Sequence, residues 1–207
     1  MEEHEVSFYS RLAREHGGTS RQVGAGSAQS QEVRFRVMLD VLDSMLGERL
    51  AGMSVLDFGC GRGDLAAFLG AAGRLDALRY VGVDGIEENV DDARRNVGGD
   101  FRLLRWDGEG RVVDDEIDLI VFSGAFATTR MDRRIAMLRS LLAQARVGVV
   151  GNFLTWKPGV DDWQGMILMD PGEALRAVDR TEFRVQLRAD YLAHDFTLGA
   201  IRWSLDS

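Results

Sequence analysis

The sequence predicts an α/β protein: a doubly wound, mostly parallel sheet of seven strands with an antiparallel pair at its C-terminal edge and a helical cap at its N-terminus. Three observations lead there. From residue 53 onward, short apolar runs alternate with helical segments, the rhythm of strand–helix–strand units whose sheet is covered on both faces. Near the C-terminus, Phe183, Val185 and Leu187 alternate with Arg184, Gln186 and Arg188, the period of two of a half-buried antiparallel strand. The first apolar run ends in Gly59-Cys60-Gly61-Arg62-Gly63, a turn that frees the backbone for unusual dihedrals and close approach of a ligand.

Taken in order, residues 5–15 read as a short helix around Phe8, Tyr9 and Leu12, and 16–30 as a small-residue loop containing Gly17, Gly18, Gly24 and Gly26. Val33, Val37, Val41, Leu42 and Met45 then recur at helical spacing, with Arg34, Arg36, Asp40 and Asp43 interleaved. Strands are expected at 53–58, 80–84, 101–106, 117–122 and 147–154. Helices are expected around 65–70, 87–95 and 135–142. Asp118 reads as a strand-start residue without a chemical role. After Pro171 come a helix over 174–178 and strands at 183–188 and 196–203. Residues 1–50 thus form a cap or lid segment and 51–207 a single core domain.

Composition narrows the functional classes. The chain has 207 residues, 45% of them hydrophobic, enough for a real core and against a disordered scaffold. Its 33 acidic residues against 25 basic ones give a net charge of −8, which counts against a duplex-binding protein, since phosphate contacts need clustered Lys and Arg. One cysteine excludes a disulfide framework or a multi-cysteine zinc site. The acidic N-terminus and the lack of any apolar run near about 18 residues predict no signal peptide, no membrane span and a cytoplasmic location.

The segment Val55-Leu56-Asp57-Phe58-Gly59-Cys60-Gly61-Arg62-Gly63 carries the chemistry. In such a sheet this turn lies at the carboxyl end of the first strand, where ligands bind. Gly61-x-Gly63-x-x-Ala66 would pass as a dinucleotide fingerprint, with Asp84 placed for a ribose. Asp57 argues otherwise: on the strand just before the loop, its carboxylate opposes a pyrophosphate but suits a ligand bearing an ammonium group, such as S-adenosylmethionine. Cys60 reads as a small packing residue.

Residues 55–63 resemble the first motif of the class I S-adenosylmethionine-dependent methyltransferases, and motif order agrees over about residues 53–155. The chain as a whole is similar to a group of small bacterial methyltransferases of unknown substrate, through Asn152-Phe153-Leu154, Asp170-Pro171 and the segment 190–197. The resemblance implies a Rossmann-like fold with S-adenosylmethionine as cofactor. It implies that Gly59, Gly61 and Gly63 line the methionyl and ribose part, with Asp57 near the ammonium and Asp84 on the ribose hydroxyls. Ile86 or Trp106 would pack on the adenine, Asp107 and Gly108 would sit by its amino group, and Ser123 and Gly124 would offer a backbone carbonyl to the methionyl amine.

Methyl transfer from a sulfonium is an in-line displacement on an activated carbon, so approach geometry, a dry pocket and sometimes a base suffice. Of the three histidines, His4, His16 and His194, the last is the first candidate base, with Tyr191 second. Tyr9, Arg14, Phe126 and Trp156 are candidates for shaping the acceptor pocket. Ser123-Gly124-Ala125-Phe126 lacks the Asn/Asp-Pro-Pro-aromatic motif of amino-methylating DNA enzymes, and Gly151-Asn152 lacks the Asp-Asn pair of metal-dependent catechol-type enzymes. A small-molecule acceptor, no nucleic acid and no metal are therefore expected. An NAD(P)-dependent oxidoreductase or a catalytically silent S-adenosylmethionine-binding protein is the alternative.

Overall fold

The structure is a computed structural model that describes residues 27–106, 110–155 and 168–203, together with Arg11 and Glu15. The first described helix, α1 (Ala28–Leu46), starts at Ser27, whose side chain accepts from the Ser30 amide while the Ser30 side chain bonds back to the Ser27 amide. This reciprocal cap satisfies backbone donors that the first helical turn leaves open. There follow β1 (Ser54–Phe58), α2 (Asp64–Ala71), β2 (Arg79–Asp84), α3 (Glu87–Asn96), β3 (Asp100–Leu103) and β4 (Leu119–Ser123). The chain closes with α4 (Met131–Gln144), β5 (Gly148–Leu154), α5 (Pro171–Ala177), β6 (Phe183–Arg188) and β7 (Asp195–Arg202).

All seven strands form one sheet in the order β3-β2-β1-β4-β5-β7-β6. The first five are mutually parallel, and β7 lies antiparallel between β5 and β6. The expected parallel sheet with an antiparallel C-terminal edge is therefore what the chain forms.

Alternation along the strands divides the core between two faces. Leu56, Ile120 and Phe122 point into a cluster with Leu138 and Leu141 of α4 and Ala174 of α5. Val55, Leu119 and Val121 point the other way, onto Met38, Val41 and Leu42 of α1 and Leu65 and Leu69 of α2. On β7 a Cβ at Gly199 would lie 2.7 Å from both Met45 Sδ and Val41 Cγ1, so this glycine lets α1 settle directly on the sheet.

Two strand limits differ from expectation by more than one residue. The third strand stops at Leu103 instead of Trp106, because Trp106 turns inward and packs edge-on against Phe58, centroids 5.5 Å apart. The fourth begins at Leu119, since the Asp118 carboxylate is occupied in tying two strand starts together: its Oδ2 accepts from the Ser54 amide and from Ser54 Oγ, both at 2.9 Å. No helix among the described residues is long and apolar enough to cross a membrane.

Candidate active site

The order in which strands are laid down reverses between the parallel neighbours β1 and β4, the point in an open α/β sheet where the carboxyl ends of the strands leave a crevice. A cleft of about 1130 Å³, open to solvent, occupies it. One half is walled by Asp57, Gly59, Cys60 and Gly61 after β1, Asp84 to Ile86 and Asn89 after β2, and Leu104 after β3. The other half is walled by Ser123 to Ala125 and Ala127 to Thr129 after β4, Met137 of α4 and Leu154 of β5, with Gln31, Arg34 and Phe35 of α1 above.

The glycine turn is built for close approach. Gly59 has φ 76°, and a Cβ there would lie 2.7 Å from the Ala125 Cβ, so the β1 and β4 loops touch only because a side chain is missing. Gly61 holds its place through its amide, which donates to Asp84 Oδ2 at 2.9 Å. Asp84 Oδ1 accepts from the Ile86 amide at 2.9 Å and from Asn89 Nδ2 at 3.2 Å. One buried carboxylate thus joins the glycine turn to the start of α3. A carboxylate has about four lone-pair directions, so three protein donors leave one for a ligand hydroxyl. Burial raises the Asp84 pKa, and these three hydrogen bonds pull it back.

Asp57 is fully buried, and burial pushes its carboxyl up to about 7, against the Tyr80 hydroxyl, which donates to it. The neighbouring charges of Asp84 and Asp64 push the same way. The site therefore holds a carboxylate that a cation would stabilise. Cys60 is buried beside Ala66, Val90, Ala93 and Phe101, and burial together with the Asp84 charge raises its thiol. That environment disfavours the thiolate a nucleophile needs.

The residues singled out from sequence separate into groups. Asp57, Gly59, Gly61, Asp84, Ile86, Ser123 and Gly124 come together around the cleft. Gly63 stands just behind it as the N-cap of α2, with φ 80°. The Gly124 carbonyl accepts from the Ala127 amide at 3.1 Å, so part of its capacity is used within the loop. Trp106 is not a cleft wall. It belongs to the core, its indole N–H donating to the Gly110 carbonyl at 3.3 Å, and Leu104 holds the wall position at the end of β3. Phe126 is likewise core, packed among Phe58, Phe122 and Phe153, with centroid separations of 4.8 to 6.0 Å. Tyr9, Arg14, Asp107, Gly108 and Trp156 lie outside the described residues.

Tyr191 and His194 are not among the cleft-lining residues. The Tyr191 hydroxyl accepts from Asn152 Nδ2 at 2.7 Å and shares a 2.8 Å hydrogen bond with Thr197 Oγ1. Burial pushes its pKa up to about 12, which suits a structural hydroxyl rather than a base. His194 precedes β7, and its carbonyl accepts from the Thr155 amide at 2.9 Å, one residue beyond cleft-lining Leu154.

A buried polar cluster leaves no mark in the local sequence pattern. Arg34 of α1 donates to Asp195 through Nε at 2.7 Å and through Nη2 at 3.2 Å. Asn152 Nδ2 bonds the same carboxylate at 3.2 Å and the Phe196 carbonyl at 3.3 Å. The helical pattern placed Arg34 on the polar face of an amphipathic helix, where arginines are ordinary. Its partner lies 161 positions away, so no local pattern marks it.

The doubly wound sheet with this edge pair, and the acidic, glycine-lined cleft at the reversal, can be set beside known proteins. Residues 55–148 match the family model described as a methyltransferase domain. Solved structures share the fold at low identity. Magnesium protoporphyrin IX methyltransferase from Synechocystis PCC 6803 with bound SAH superposes with a TM-score of 0.64 at 17% identity, over 95% of this chain and 94% of that one. DhpI in complex with SAH gives 0.66 at 15% identity, over 95% and 94%. A TehB-like SAM-dependent methyltransferase from Corynebacterium glutamicum ATCC 13032 Kitasato gives 0.58 at 17% identity, over 97% and 99%. No curated protein matches the sequence. Residues 55–148 thus carry a methyltransferase domain, on a fold shared with solved S-adenosylmethionine-dependent methyltransferases.

Its cleft fits that cofactor. Asp57 is a buried carboxylate matched to an ammonium, Asp84 keeps one acceptor direction for a ribose hydroxyl, and Ile86 and Leu104 supply an apolar wall.

Proposed function

We propose that the protein methylates a small-molecule acceptor by in-line displacement, with the cofactor over β1–β3 and the acceptor over β4–β5 under α1. The observation carrying this reading is the length of the cleft. It runs past the glycine turn and Asp84 into a second half lined by Phe35, Ala127, Thr128, Met137 and Leu154. That half is mostly apolar and has α1 above it, which suits a metabolite better than a polymer.

The cofactor supplies a methyl group already activated on a sulfonium. The chain then has to orient two partners and keep water out. Asp57 holds the methionyl ammonium, and Asp84 accepts one ribose hydroxyl while fixing Gly61. Gly59 and Gly61 admit the ligand against the backbone, with Gly63 starting α2 behind them. Ser123 and Gly124 close the methionyl end, and Ile86 with Leu104 flanks the adenine. Asp107 and Gly108 remain proposed for its amino group, and Tyr9, Arg14 and Trp156 for the acceptor. His194 is the proposed base for acceptors that must lose a proton, positioned at the end of β5.

Incubating the protein with methyl-labelled S-adenosylmethionine and a metabolite panel tests this directly. Label transfer to a small molecule is the expected result. Label found only in nucleic acid or protein, or tight NADH binding without S-adenosylmethionine binding, contradicts it.

A further inference from the structure

One wall of the acceptor half is a short turn after β4. Gly124 enters it with φ 74°, and two backbone hydrogen bonds shape it: Ala127 amide to Gly124 carbonyl at 3.1 Å, and Thr129 amide to Phe126 carbonyl at 3.2 Å. The turn is held from two sides. Phe126 is anchored in the aromatic core, 4.8 Å from Phe122 between centroids. The buried Arg134 of α4 donates through Nη2 to the Thr129 carbonyl at 2.8 Å. Thr128 rides on this fixed turn, and its branched Cβ limits it to few rotamers. It is only 5% exposed and lines the cleft, yet its hydroxyl makes no hydrogen bond with a described residue. A hydroxyl so sheltered ordinarily has a partner.

The apolar walls of this half come from Phe35, Ala127, Met137 and Leu154. Charged groups of the described walls stand elsewhere or are already paired: Asp57, Asp64 and Asp84 lie on the side of the glycine turn, and Arg34 meets Asp195 at 2.7 Å. A charged acceptor would give up its hydration here without a counter-charge, which is costly. A neutral oxygen gives up far less and recovers a hydrogen bond from a hydroxyl that both donates and accepts. We infer that Thr128 is a specificity-determining residue of the acceptor half, and that the acceptor is an uncharged, largely apolar molecule held through a neutral oxygen. This rests on the reading that the cofactor fills the half over β1–β3. No proton is transferred to Thr128 in this role.

Ligand-observed NMR titration of the S-adenosylhomocysteine-saturated protein with p-cresol, toluene, p-toluate and 4-methylbenzylammonium tests the inference. The four probes share a methylated ring and differ in carrying a hydroxyl, nothing, an anion or a cation. Wild type should bind p-cresol about fivefold tighter than toluene, the worth of one neutral hydrogen bond. Each ion should bind at least about tenfold more weakly than p-cresol. Thr128→Val keeps the shape and removes the hydroxyl, so p-cresol and toluene should bind it alike. Thr128→Ser should restore the preference, which a merely structural threonine would not require. Cooperative thermal unfolding serves as the fold control, with Thr128→Ala in reserve. Equal binding of p-cresol and toluene by wild type, a preference that survives in Thr128→Val, an ion that binds as well as p-cresol, or no binding of any probe overturns the proposal. If S-adenosylhomocysteine does not bind wild type, the cofactor reading falls, and the same probes on the ligand-free protein still decide the role of Thr128.

Discussion

The Tyr80 hydroxyl donates to Asp57 Oδ2, and it is the one donor to that carboxylate among the described residues. Burial outweighs this hydrogen bond and lifts Asp57 from 3.8 to about 7. At pH 6 the empty site therefore holds a proton that an ammonium ligand must displace. S-adenosylhomocysteine binding should tighten as pH rises toward 7 and level off above it. Near pH 6, complex formation should release up to about one proton, visible as a dependence of the observed enthalpy on buffer. Asp57→Asn abolishes that release; Tyr80→Phe, which removes the hydrogen bond favouring the anion, moves the midpoint upward.

The same shift sets the pH dependence of stability in the ligand-free protein. Between about pH 4 and 7 the folded protein keeps the Asp57 proton while the unfolded chain has lost it. Stability from this group is thus present at acid pH and is lost as pH rises through that window. Urea midpoints of Asp57→Asn across this range should fall less steeply than those of wild type.

Asp84→Ala frees the Gly61 amide, the Ile86 amide and Asn89 together. S-adenosylhomocysteine affinity should fall at least tenfold, about 1.4 kcal/mol, because charge-assisted hydrogen bonds of the loop and of the ligand are lost. An unchanged dissociation constant with the fold intact removes Asp84 from the site.

Gly59→Ala places a side chain at φ 76° and 2.7 Å from the Ala125 Cβ. A destabilisation of roughly 1–3 kcal/mol is expected from the backbone strain alone. Binding should suffer beyond that, since the β1 and β4 loops must move apart.

Asp195→Ala leaves Arg34 buried without its partner and should cost about 3–5 kcal/mol in denaturant unfolding. Replacing both residues by leucine should restore most of the loss. His194→Asn separates positioning from base catalysis. If His194 is the base, turnover falls while S-adenosylhomocysteine affinity is unchanged; unaltered turnover leaves proximity as the contribution.

The fold was legible because periodicity is local. Val55 and Leu56, or Leu119 and Ile120, show in adjacent letters which face of the sheet each serves. The clustering of Asp57, Gly59, Gly61 and Asp84 around one half of the cleft was legible for a similar reason: they lie within one strand–helix–strand unit. What pattern cannot convey is the direction of a side chain after a strand ends. Trp106 and Leu104 both follow β3, and the larger ring went inward to meet Phe58, leaving the wall to the leucine. Phe126 was drawn in by three other rings in the same manner. The pairing of Arg34 with Asp195 joins the N-terminal helix to the last strand, and only the closed sheet brings them together.

On this reading the acidic cleft between β1 and β4 binds S-adenosylmethionine. Titrating S-adenosylhomocysteine and NADH in parallel into wild type and Asp84→Ala tests it most directly. Saturable binding of S-adenosylhomocysteine, weakened at least tenfold by the substitution and with NADH silent, is the predicted result. Binding of NADH with no response to S-adenosylhomocysteine would contradict it.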